Sequence, residues 1–132
     1  MPRRPQVQID LTGPARRDLT AIVKWSFLEF GEAAALRYEA LVHQALRDLQ
    51  ADPGRPGSKG RPDIMTKGVR TYHLEFSRDH VVGGRVQNPR HFLLYCRRND
   101  GAVEVARILH DARDLARHLP KAYRVPSTNT EQ

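Results

Sequence analysis

Six histidines, a single cysteine and a surplus of arginine are the residues of this chain with chemistry to offer. A metal centre would need histidine, cysteine or carboxylate ligands at short, regular spacing, and neither an HExxH motif nor a Cys/His array occurs. No metal and no cofactor are expected. A serine nucleophile would need a base and an orienting acid beside a sharp turn, and there is no G-x-S-x-G element. Gly83-Gly84 lacks the flanking residues of a phosphate loop. Cys96 lies in an apolar stretch, where a buried, unreactive thiol is the ordinary outcome. His73 and His91 fall in extended segments and read as hydrogen-bonded imidazoles. His110 ends such a segment just before Asp111, and reads as a residue that positions the turn.

Arginine is what remains. In VEVARILH, strand alternation places Val103, Val105, Arg107 and Leu109 on one face, opposite Glu104, Ala106, Ile108 and His110. Arg107 therefore interrupts an apolar row. It must pair with a carboxylate (Glu75 and Asp114 are the candidates), carry its head to the sheet edge, or meet a ligand. In HFLLYCR, Phe92, Leu94 and Cys96 oppose His91, Leu93, Tyr95 and Arg97. Arg85, Arg90, Arg97, Arg98 and Arg113 add to a basic surface. Lys and Arg total 22 against 15 for Asp and Glu, a net charge of +7 that calls for an acidic partner, whether nucleic acid or protein.

The elements that must hold these residues follow from periodicity. VQIDL, from Val7 to Leu11, alternates like a half-buried strand. Thr12-Gly13-Pro14 starts a helix in which Leu19, Ile22, Val23, Phe27 and Phe30 recur at helical spacing, and Gly31 stops it. Tyr38, Leu41, Val42, Ala45, Leu46 and Leu49 mark a second helix from Glu32 to Gln50, with Gln44, Arg47 and Asp48 on its outer faces. So short a break folds the two into an antiparallel hairpin. Residues 51–68, rich in proline and glycine, read as a long, loosely ordered connection. Strands are expected at Val69 to Phe76, His91 to Arg97 and Val103 to His110, with a small hairpin turn at Gly83-Gly84 and a tight turn at Asn99-Asp100-Gly101. Asp111 then caps a short helix whose apolar face is Ala112, Leu115 and Leu119.

The fold class is therefore α+β: an N-terminal strand, an antiparallel helical hairpin, a three-stranded antiparallel meander and a short C-terminal helix. The hairpin covers one face of the sheet and leaves the other to a partner. A chain of 132 residues, 39% hydrophobic and 28% charged, suits one domain over residues 7–120, with a basic arm at 1–6 and a loose tail at 121–132. No apolar run approaches the ~20 residues of a membrane span, and MPRRPQVQID has no signal-like stretch, so the expected location is the cytoplasm. With one cysteine, no intrachain disulfide framework can form.

The closing block PRHFLLYCRRNDGAVEVARILHDARDLARHLP is where the sequence becomes specific. Arg90, His91 and Tyr95 on a strand, then Arg107, Leu109 and His110 ending the next, then Asp111 and Leu115 resemble the final region of the RelE/ParE superfamily of bacterial type II toxins, nearer to ParE. Ala15, Asp18, Leu19, Gly31, Ala34 and Tyr38 resemble that family's helical hairpin. The resemblance implies a toxin neutralised by a cognate acidic, ParD-like antitoxin in a hetero-oligomer. Its ParE-like branch implies inhibition of DNA gyrase by binding, with growth arrest and no chemistry of its own. The RelE-like alternative is a ribosome-dependent mRNA endoribonuclease working through His110, Arg107 and Arg113, and a third is an inactive binding module. Target contacts are expected at Arg97, Arg107, His110 and Arg113, and antitoxin contacts at Trp25, Leu28, Tyr95 and Arg97. The segment 77–89 is longer than the resemblance predicts.

Overall fold

The computed structural model describes residues 6–113 and 115–125, so the expected arm before Gln6 and the tail beyond Val125 lie outside the described residues. Strand β1 (Ile9–Leu11) leads into α1 (Gly13–Phe30), whose start is set by Thr12: its hydroxyl accepts the Ala15 N–H, and Pro14 occupies the first turn. Gly31, at φ +93°, is the only residue between α1 and α2 (Glu32–Ala51). A side chain is strained in that conformation, which is why glycine makes the break. α2 turns Ala35, Tyr38, Leu41, Val42, Ala45 and Leu49 inward.

The sheet is completed by β2 (Val69–His73), β3 (His91–Arg97) and β4 (Val103–His110), in the order β1-β4-β3-β2. The three later strands form the expected antiparallel meander, and β1 joins the β4 edge in parallel. Gly101, at φ +88°, makes the tight turn between β3 and β4. Ala15 and Ile22 of α1 and Leu41, Val42 and Leu49 of α2 pack onto Tyr72, Leu93, Tyr95, Val103, Val105 and Ile108 of the sheet to form the main core.

Several expectations are corrected. A bulge opposite Leu94/Tyr95 inserts an extra residue into β4, so Ile108, and not Arg107 or Leu109, comes into phase with Val103 and Val105 on the helix side. Alternation cannot be read through a bulge. β2 ends at His73, and Leu74–His80 winds into 3-10 turns because the His73 ring accepts the Glu75 N–H. No strand pairing forms at Gly83-Gly84 among the described residues. The connection 51–68 is not loose: Lys59 and Thr71 exchange backbone hydrogen bonds of 2.9 and 2.7 Å, and the Tyr95 hydroxyl donates to the Pro53 carbonyl at 2.6 Å. Asp48, expected on an outer face, is buried. Burial alone would raise its pKa, but hydrogen bonds from Ser77, His80 and Gln44 and the charge of Arg55 outweigh it and hold the carboxyl below its ordinary range.

Neither is the second sheet face open. Met65, Val69, Leu94, Ala106, Leu119 and Tyr123 form a smaller core there. Residues 121–125 are thus ordered against the sheet: Lys121–Tyr123 makes a 3-10 turn and Met65 bridges to Arg124. The last helix is short, α3 (Leu115–His118), and Asp111 does not cap it. The Asp111 carboxylate turns instead to Arg90 and His73. No helix among the described residues is long and apolar enough to cross a membrane.

Candidate functional site

An 18-residue helix is about 27 Å long, and the last turns of α1 run past the sheet. Phe27 and Phe30, expected in the core, are therefore exposed, while Ala15, Ile22 and Ser26 carry the buried line. Trp25, 51% exposed, stands edge-on to Phe30 with ring centroids 5.5 Å apart. With Leu28 and Leu36 these side chains make an apolar tip on the hairpin. A signal for this is present in WSFLEF: four large apolar residues in six positions, at 100° per residue, cannot all face one core.

Below the tip, a cleft of about 460 Å³ opens between the hairpin, the 81–90 segment and the ends of β3 and β4. Tyr38 and His91 form its floor. The Tyr38 hydroxyl accepts the Arg90 N–H at 3.0 Å and lies 2.6 Å from His91 Nδ1. The hydroxyl still has its proton to give, and when it donates to His91 Nδ1 the ring proton sits on Nε2. Desolvation, then the neighbouring His110, pushes the His91 pKa down to about 4, and burial pushes Tyr38 up to about 12, so both are neutral at pH 7. His110 meets His91 edge to face at 5.1 Å, and its Nδ1 accepts the Ala112 N–H, the turn-positioning role expected of it.

Arg37, Arg85 and Arg90 line the same cleft, and no carboxylate among the described residues does. Arg90 is held by a two-pronged contact to Asp111 at 2.8 and 3.0 Å, and Arg85 reaches Asp79 at 3.2 Å across exposed surface. The exposed Arg85–Asp79 pair is worth little and exchanges readily for a better acidic partner. A shallower concavity continues past Trp25, His91 and His110 to Arg113.

Of the residues singled out from sequence, Trp25, His110 and Arg113 come together here; Leu28 is exposed near the end of α1. The others do not. Tyr95 is buried under the 51–68 connection, where its hydroxyl meets Ser58 and Pro53, so it offers no surface to an antitoxin. Arg97 is at the opposite end of β3 from His91, about 20 Å along the strand, and its Nε bonds the Gly101 carbonyl. Arg107 makes a structural ion pair, but with Asp18 and not with Glu75; the other expected partner, Asp114, lies outside the described residues. Arg37, Tyr38 and Arg85 were not among the expected contacts, because only tertiary packing joins α2 to the 81–90 segment. Among the described residues no cluster of His, Cys, Asp or Glu has the geometry to hold a metal ion. What the cleft can do is bind: an apolar wall for an apolar face, and arginines for carboxylates.

Comparison with known proteins agrees in sequence and in fold. A family model described as "ParE toxin of type II toxin-antitoxin system, parDE" matches residues 9–115. No curated protein matches the chain. Among solved structures, one described as the chromosomal ParDE TA system from P. aeruginosa superposes with a TM-score of 0.59 at 16% identity, covering 81% of this chain and 98% of that one. At that identity the likeness is one of fold.

Proposed function

The chain belongs to the ParE toxin family of type II toxin–antitoxin systems, and from that premise we propose that it arrests growth by binding and inhibiting DNA gyrase, and is kept harmless by an acidic, ParD-like antitoxin seated on the hairpin tip and its cleft. The observation that carries the reading is the pairing of exposed Trp25, Phe30 and Leu28 with a cleft lined by three arginines and, among the described residues, no carboxylate. An unpartnered apolar patch of this kind marks an interaction surface. The charge lining it selects an acidic partner, and the toxin acts in the cytoplasm, where gyrase and antitoxin are both met.

The groups in the cleft support binding over chemistry. One nitrogen of His91 is spent on Tyr38, and one of His110 on Ala112. Arg107, which an endoribonuclease site would need free, is tied to Asp18.

Two measurements test this. Expression without the antitoxin should arrest bacterial growth, and the purified chain should block gyrase supercoiling in vitro. Normal supercoiling together with codon-dependent mRNA cleavage would overturn the reading in favour of an endoribonuclease, and harmless high-level expression would mark an inactive binding module.

A further inference from the structure

The 81–90 segment is built into the cleft as its second wall. Val81 and Val86 anchor it on the main core, and the Gln87 carbonyl accepts from Arg78 at 3.1 Å. Between these anchors the backbone passes directly over the stem of Arg37. A Cβ added at Gly84 would sit 2.1 Å from Arg37 Cδ and 2.8 Å from Cγ, so any larger residue there would push the Arg37 side chain aside. Glycine there leaves room for the Arg37 stem against the loop. The same contact holds the Arg37 stem in place, and Arg85 follows immediately on the loop. Neighbouring Val82, by contrast, points away into solvent at 96% exposure.

We propose that segment 81–90 is the selectivity wall for the antitoxin: with Trp25 and Phe30 it forms a slot for an acidic amphipathic segment, admitting an apolar side chain between Trp25 and the loop while carboxylates meet Arg37 and Arg85. This rests on the reading of the chain as an antitoxin-neutralised toxin. The chemistry of the occupant follows from the walls. A basic segment would meet Arg37, Arg85 and Arg90, of which only the last two have a carboxylate beside them, and a wholly polar one would leave Trp25 and Phe30 uncovered. Charge decides which partner approaches, and the apolar wall at Trp25 and Phe30 facing the loop decides which side chain enters.

The probe is the ParD-like protein encoded by the reading frame adjoining this one, with affinity measured for the full chain and its variants and folding checked by thermal unfolding. Arg37→Glu and Arg85→Glu should each weaken binding about tenfold or more at low salt. Gly84→Val should do the same by displacing the Arg37 side chain from its place against the loop. A Glu→Lys exchange in the antitoxin should restore binding to Arg85→Glu. Arg85 is exposed, so that variant remains informative if Gly84→Val does not fold.

If the antitoxin binds the unmodified chain, Arg85→Glu and Arg37→Glu with equal affinity, the selectivity wall is wrong and the toxin reading stands. If it does not bind the unmodified chain, both fall. Loss of gyrase inhibition with undiminished antitoxin affinity would assign the slot to the target and overturn the inference.

Discussion

Asp18 on α1 holds Arg107 on β4 by two hydrogen bonds, Nε at 2.7 Å and Nη2 at 3.0 Å, and the same carboxylate accepts the Ile108 N–H at 2.9 Å. Strand β1 covers only Val103 to Val105 of the β4 edge. Beyond that point α1 takes over the edge, and Asp18 satisfies the backbone group that a neighbouring strand would have bonded. Asp18→Ala leaves a cation and an N–H without their acceptor and should cost about 2–3 kcal/mol. Asp18→Asn keeps an acceptor for Ile108 and should cost about half as much. Denaturant unfolding checks the order of the two.

Acid should unfold the protein through His91 first. The unfolded chain takes up a proton near pH 6.5 that the folded one refuses until about pH 4. Stability present above pH 6.5 is therefore lost as the pH falls from 6.5 towards 4, by an amount on the order of 3 kcal/mol. Asp48 and Asp111, whose carboxyls are held below 3.8, add their losses at still lower pH. His91→Gln, which can still accept from Tyr38, should flatten the profile between 6.5 and 4 alone. An unchanged slope there would show that His91 is not the group responsible.

Trp25→Ala and Leu28→Ala should separate binding from folding. Both side chains are at least half exposed, so each truncation should cost about 1 kcal/mol of stability or less. For the antitoxin, loss of Trp25 should cost about 2 kcal/mol of binding energy, as buried tryptophan anchors do. Calorimetric titration beside thermal unfolding reads both quantities, and equal antitoxin affinity in the Trp25 variant would remove the tip from the interface.

Tyr95→Phe should loosen the connection it pins. Without the hydroxyl, Pro53 loses a donor and Ser58 a partner, at about 1 kcal/mol or somewhat more. Limited trypsin digestion should then cut faster after Lys59, since Arg55 and Arg61 each precede a proline. Cleavage confined to the chain ends at the parent rate would contradict this role.

Tyr123 closes the second sheet face, where its hydroxyl donates to Glu104 at 2.8 Å and lies 3.2 Å from the Cys96 sulfur. Tyr123→Ala should destabilise by about 3 kcal/mol. Burial pushes the Cys96 thiol up, so the parent protein should react slowly with thiol reagents and the variant much faster.

By itself the sequence determined most of the elements and some of their ends. The Thr12 cap, the Gly31 break, β3 from His91 to Arg97 and β4 from Val103 to His110 are local matters of capping, positive φ and apolar alternation, and local spacing reports them. The order of these elements, with the residues at the ends of β3 and β4, was enough to reach the toxin family. Tertiary structure alone decided what each polar group faces. The β4 bulge reversed the alternation around Arg107, and its partner proved to be Asp18, far away in sequence. Tyr38, His91 and Arg90 meet because α2 crosses the end of β3, and Arg37 and Arg85 share a cleft because Gly84 leaves room for the Arg37 stem against the loop. Phe27 and Phe30 carry a core-like pattern but stand in solvent, since periodicity gives the direction of a side chain and not how far the sheet beneath it extends.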